Sequence, residues 1–184
     1  MGGNVDSLKG QLLISGGGLF DPNFRHTVVL IAEHTAEGAL GVVLNRPLDM
    51  TVRQAVPPLA DLLGPGELLY QGGPVEPQQP LLLAEVADPG LVDVPVFGSV
   101  GFLTGDVPSS VHHTVLRARV FAGHAGWGPG QLEGELEEDS WIIEPATEDD
   151  VFTSDPETLW HRVLKRKGPP YDKVSRIPFD PSMN

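Results

Sequence analysis

Cysteine is absent from the 184 residues, which excludes disulfides, thiolate nucleophiles and cysteine metal sites, and leaves a reducing compartment open to the chain. Long apolar runs are missing as well. The longest near the start is VVLIA, Val28 to Ala32, too short for a membrane span or for the core of a signal peptide. A cytoplasmic protein with no membrane contact is the expectation. Basic residues are scarce: 12 Lys and Arg stand against 25 Asp and Glu, for a net charge of -13. Duplex binding relies on basic clusters that displace counterions from phosphates, and only Lys165-Arg166-Lys167 could serve. Direct nucleic-acid binding is therefore not expected.

Signature motifs of catalysis are missing too. There is no GxSxG nucleophile elbow, no HExxH among the six histidines, no EF-hand spacing and no GxxxxGK[ST]. The sequence calls for no metal and no cofactor, and it nominates no catalytic residue.

What it does have is glycine and proline, 22 and 18 of them, set between short apolar runs in a way that reads as a globular, loop-rich chain. At this length, with 40% apolar residues, one sizeable core is expected. Residues 1–168 form a single domain in this reading, and residues 169–184 an extended, proline-rich tail. The acidic excess is concentrated. Eleven Asp and Glu, and no Lys or Arg, lie between Glu133 and Glu157, either a solvated face or a docking surface for a basic protein.

Strand patterns dominate the first half: Gly10 to Ser15, Thr27 to Glu33, Ala39 to Asn45, Glu67 to Gly72 and Pro80 to Val86 are short, aliphatic and bounded by turn residues. His34 to Gly38 is a link of hairpin length, so the second and third of these strands should be antiparallel. Thr51 to Val56 reads as a short helix capped by Thr51. Leu116 to Gly123 and Ser140 to Pro145 read as further strands. Between them, a helix is expected with Pro129 at its first position and Leu132 and Leu136 on one face. The last helix should start at an Asp155 cap with Pro156 first, carry Leu159, Trp160, Val163 and Leu164 as a stripe, and stop at Gly168-Pro169. Residues 87–111 read only as a connection with one short helix. Hairpin links and late, segregated helices argue for an α+β fold rather than a doubly wound parallel sheet.

Polar residues at strand ends supply the candidate binding site. Asp21, Asn23 and Arg25 surround an Asp-Pro-Asn turn, and Asn45-Arg46-Pro47 closes an apolar strand. In GHAGWGPGQ, Gly123 to Gln131, the glycines have GxGxG spacing instead of GxGxxG, and Glu133 and Glu135 would repel a phosphate. Two possibilities stand: Trp127 is buried and the glycines serve packing, or Trp127 and Gln131 border a groove shared with Asn45 and Arg46.

Taken in order, GGGLFDPNFRHTVVLIAEH, EGALGVVLNRPL, LYQGGPV and GHAGWGPGQLEGEL resemble the AlgH/YqgE family of bacterial proteins. The four together cover the chain from about Gly10 to Gly168, less its middle. The resemblance implies an α/β protein with a mostly antiparallel, partly closed sheet and flanking helices. Members are often labelled transcriptional regulators, but the family carries no established reaction or cofactor. Two functions follow as expectations. One is a non-catalytic binding or regulatory protein that works through an unidentified protein partner or small ligand. The alternative is an enzyme or sensor of a small polar metabolite, with its site at Asp21, Asn45, Arg46 and the glycine stretch to Gln131.

Overall fold

The computed structural model describes residues 7–16, 26–104, 107 and 109–171. Its strands are β1 (Gln11–Ser15), β2 (Val28–Thr35), β3 (Gly38–Val43), β4 (Pro47–Thr51), β5 (Leu68–Gln71), β6 (Val75–Val86), β7 (Val94–Phe97), β8 (Val100–Leu103), β9 (Val115–Trp127) and β10 (Trp141–Pro145). The helices are short: α1 (Val52–Ala55), α2 (Ser109–His112), α3 (Gln131–Glu137), α4 (Glu148–Val151) and α5 (Leu159–Lys167). None among the described residues is long and apolar enough to cross a membrane.

One sheet runs β10-β1-β2-β3-β9-β6-β8-β7, with β4 and β5 branching from β9. Its ladders are antiparallel except that of β5 with β9, where Tyr70 pairs with Phe121 and Gln71 with Ala122. This is the expected single-domain, α+β arrangement. The sheet stays open: β10 and β7 are its two ends, and no ladder joins them among the described residues. Partial closure is limited to packing, as where Gly10 lies against the Phe97 side chain.

The apolar runs of β1 and β2 are continuous because the sheet is covered on both faces, so neither parity of the pleat faces water. Leu12, Ile14, Val28 and Leu30 point to a core completed by Leu159, Trp160, Val163 and Leu164 of α5. Leu13, Val29 and Ile31 point to the opposite face, under Trp127, Leu132 of α3 and Trp141. A third cluster, with Val52, Leu69, Leu82, Leu103 and Val120, fills the far end of the sheet. The hairpin of β2 and β3 turns on Ala36-Glu37, with Thr35 opposite Gly38, as the link length predicts. At the open edge of β10, α5 supplies donors: Lys167 Nζ to the Ile143 carbonyl at 2.6 Å, and Arg166 Nη2 to the Pro145 carbonyl at 3.2 Å. Those carbonyls are not available to another strand.

Several boundaries differ from the expectations. Residues 87–111 hold a β-hairpin, β7 and β8, besides the 3₁₀ turn Pro89–Leu91 and the start of α2. Strand β9 runs on through Gly123 to Trp127, so the first half of the glycine stretch is strand rather than loop. Helix α3 begins at Gln131, after Gly130 at φ 75°, and Pro129 belongs to the preceding turn. Asp155 makes no side-chain cap; a 3₁₀ turn, Pro156–Thr158, leads into α5. Thr51 does cap α1, in a reciprocal box with Gln54. Of the expected tail, residues 172–184 lie outside the described residues. Tyr171, inside them, sits under the Lys167 ammonium at 5.0 Å.

Candidate functional site

Asn45 stands two residues beyond the end of β3, and its amide works as a latch between neighbouring strands. Its Oδ1 accepts from the Val28 N–H at 3.2 Å, and its Nδ2 donates to the His26 carbonyl at 2.7 Å. The latch lies at the frayed ends of β1 and β2, where Ser15 Oγ accepts from the Thr27 N–H at 2.8 Å and the Ser15 carbonyl accepts from Trp160 Nε1 at 3.0 Å. Arg46 comes next. Its Nη2 donates to Thr27 Oγ1 at 2.8 Å, its carbonyl accepts from the Gln71 N–H at 2.8 Å, and burial pulls its guanidinium below the ordinary arginine pKa. Beside them His26 stacks on Trp160 with ring centres 3.8 Å apart. Asp21, Asn23 and Arg25, the remaining residues nominated at this end, lie outside the described residues.

Trp127 and Gln131 belong to a different cluster, organised by a residue that the sequence did not single out. The Glu135 carboxylate accepts from Trp127 Nε1 at 3.0 Å and Trp141 Nε1 at 2.8 Å, both on Oε1, and from Gln131 Nε2 at 3.1 Å on Oε2. The two indoles meet edge to face, 6.2 Å apart, and Trp127 is only 6% exposed. Gln131 also accepts from the Gly128 N–H at 3.0 Å, which closes the turn onto α3. The signal for Glu135 was present: Gln131 and Glu135 are four apart and share a helix face. Of the four glycines in the stretch only Gly123 is closed in by packing; a Cβ on Gly126 or Gly128 would meet nothing nearer than 3.8 Å, and one on Gly130 nothing within 4 Å. Gly73 and Gly123, both at positive φ (154° and 76°), bring two backbones so close that a Cβ on either would strike the other strand.

The two halves of the expected groove do not meet. Trp127 pairs with Ala39 at the start of β3, whereas Arg46 lies beyond its end. Gln71, bonded to Arg46, stands beside Ala122, five residues from Trp127 along β9; that is roughly 17 Å at the rise of an extended strand. Asn45 and Arg46 thus share a corner with each other, and Trp127 and Gln131 with Glu135.

A larger concave surface than either corner offers lies elsewhere. A groove of about 440 Å³ lies between the 3₁₀ segment Pro57–Leu62 and strands β6 and β8, lined by Leu59, Leu62, Leu81, Leu82, Phe102 and Leu103. Four of these six come from β6 and β8, and β8 lies in the region that the sequence left as connection. Among the described residues no three His, Asp or Glu side chains converge as a metal ion requires.

Comparison with known proteins places this geometry in context. The model of the AlgH-like family matches residues 12–172. A UPF0301 protein of Streptomyces avermitilis is 41% identical, over 98% of this chain and 97% of its own. One from Mycobacteroides abscessus is 40% identical, over 95% of this chain and 87% of its own. Among solved structures, a Corynebacterium diphtheriae protein superimposes with a TM-score of 0.84 at 28% identity, covering 95% of this chain and 94% of that one. The AlgH protein of Pseudomonas aeruginosa, determined in solution, gives a TM-score of 0.71 at 29% identity, over 92% and 94%.

Proposed function

This chain belongs to the AlgH-like family, and on that footing we propose that it is a cytoplasmic binding protein with a regulatory role. It engages a protein partner or a small ligand, carries out no reaction, and does not read DNA itself. The observation that carries this reading is the apolar groove between Pro57–Leu62 and β6/β8, whose size and lining suit a ligand or an inserted side chain. A net charge of -13 opposes contact with phosphates, so any effect on transcription is indirect. The test is Leu59→Glu, which puts a carboxylate into the groove from a half-buried position. The parent, isolated from its native cell, should carry a partner or small molecule that the folded variant lacks. Retention by both would refute the groove, and sub-micromolar sequence-specific binding of duplex DNA by the pure protein at physiological salt would refute the indirect role.

A second reading, an enzyme or sensor of a small polar metabolite, is favoured by Arg46, a partly buried cation at a strand end beside Asn45. It predicts a metabolite that raises thermal stability in the parent and not in Arg46→Ala. At 100 times its dissociation constant such a ligand adds about 2.7 kcal/mol.

A further inference from the structure

On the other side of the Pro57–Leu62 segment lies a smaller open cleft of about 250 Å³, bordered by Leu63, Glu67, Leu116, Arg117, Arg119 and Phe152. Arg119 forms its charged wall. The side chain is 8% exposed and held through one nitrogen: Nη1 donates to the Thr153 carbonyl at 2.8 Å and to that of Val151 at 3.4 Å. The plane of the guanidinium rests over the Tyr70 ring, 4.5 Å from its centre. The opposite edge is buried and unbonded. Among the described residues Nε has no hydrogen-bond partner, and Nη2 has only Glu67 Oε2, at 3.9 Å, beyond hydrogen-bonding range.

Nε–H and Nη2–H point the same way along one edge of a guanidinium, and that edge is the fork that takes a carboxylate through two parallel bonds. A buried arginine with this fork unfilled is costly, because donors removed from water regain their hydration energy only by bonding. The chain's own carboxylate, Glu67, stands near the fork without filling it, and its side chain is 44% exposed, so it can move aside. Arg117, two residues along the same strand, offers no second fork: its Nε bonds Glu85 at 2.8 Å and its Nη1 bonds Asp149 at 2.9 Å. Two arginines stand among three carboxylates here, so the local charge disfavours a phosphate dianion more strongly than a monoanion. Its remaining walls, Leu63, Leu116 and Phe152, are apolar.

We propose that this cleft binds a small organic monocarboxylate, held along the Nε and Nη2 edge of Arg119 in place of the Glu67 carboxylate, with its apolar end against Leu63, Leu116 and Phe152. Glu67 then competes with the ligand for the same cation.

The test titrates the whole protein with butyrate, with inorganic phosphate and with chloride at matched ionic strength, following melting temperature and amide chemical shifts. Butyrate should stabilise saturably, with shifts centred on residues 62–67 and 116–119, while phosphate and chloride do not. Glu67→Gln removes the competitor and should lower the butyrate Kd at least threefold. Arg119→Lys keeps the charge but loses the fork, and should raise the Kd at least tenfold. No saturable response to butyrate or to N-acetylalanine in either the parent or Glu67→Gln would overturn the proposal, as would equal stabilisation by phosphate or chloride, or parental affinity in Arg119→Lys. Should Arg119→Lys fail to fold, the direction of the Glu67→Gln effect decides. A free acid and a peptide C-terminus share this chemistry; N-acetylalanine run beside butyrate tells which is preferred, and saturable binding of either upholds the site. The groove variant Leu59→Glu should leave butyrate binding unchanged, so this proposal and the groove fail independently.

Discussion

Replacing Glu135 by methionine keeps the length of the side chain and removes its oxygens, and with them the acceptor shared by two indoles. Trp127 and Trp141 are 6% and 5% exposed, so neither N–H regains full hydration when the carboxylate is gone. A buried donor stripped of its partner costs about 1 to 3 kcal/mol. Two such donors set a range of about 2 to 6, and because Glu135 is itself half-buried, water reaches the vacated position and the lower half applies. The expected loss is about 3 kcal/mol. The third bond, from exposed Gln131, adds little. For a chain of this size that corresponds to a fall of roughly 6 to 12 °C in melting temperature. Glu135→Gln retains one carbonyl oxygen in the place of Oε1, where both indoles bond, so it should lose only about 1 kcal/mol. Urea unfolding followed by tryptophan fluorescence measures both variants, since the reporters are the residues concerned. A Glu135→Met protein within 0.5 kcal/mol of the parent would refute the packing account of the glycine stretch. Glutamine as damaging as methionine would show that charge rather than an acceptor is what the indoles require.

Four further outcomes follow from the same reasoning, each checked by urea or thermal unfolding. Asn45→Ala takes the acceptor from the buried Val28 N–H and the donor from the His26 carbonyl, and should cost about 2 kcal/mol. Gly73→Ala forces a Cβ into the His124 backbone at φ 154° and should lose more than about 3 kcal/mol, whereas Gly134→Ala, inside α3 with open space around it, should gain about 0.5 to 1 kcal/mol. Arg166→Met strips the bidentate partner, at 2.8 and 2.9 Å, from Asp150, whose side chain is 4% exposed, and should cost about 2 to 4 kcal/mol.

The parts of the fold that were legible are those where local pattern and tertiary context agree. The short link at Ala36-Glu37 fixes the β2–β3 hairpin, the Thr51 and Gln54 side chains mark the start of α1, and the stripe of α5 matches its buried face. The hairpin of β7 and β8 was hidden because Pro95 argues against a strand, yet β7 is an edge strand, where a missing N–H costs least. The first half of β6 is polar and proline-bearing, with residues 75–80 exposed. Only its ends pair with β9, Val75 opposite His124 and Pro80 opposite Ala122, and it carries no apolar alternation to reveal it. β9 itself was cut short at Gly123, since glycine reads as a breaker; here the glycines let the backbones of β9 and the Gly72-Gly73 turn come into contact.

The site was less legible, for a reason that lies in register rather than residue type. Asn45, Arg46, Trp127 and Gln131 stand at strand or helix ends, and sequence order gives no sign of which end of the sheet each occupies. The pairing of Ala39 with Trp127 separates them, and each pair is then absorbed by its own neighbours. Arg119 presents the opposite case. In LRARVF the arginines alternate with apolar residues, the usual mark of a half-solvated strand, so both read as facing water. For Arg117 that holds in part, since its side chain is 38% exposed. Arg119 is instead covered, because β5 lies parallel beside β9 and places Tyr70 over the guanidinium, while the carbonyls of Val151, at the end of α4, and of Thr153, just beyond it, close in. Two segments distant in sequence from β9 thus bury a cation whose local pattern predicts exposure. They fill one edge of it and leave the fork facing Glu67 unbonded.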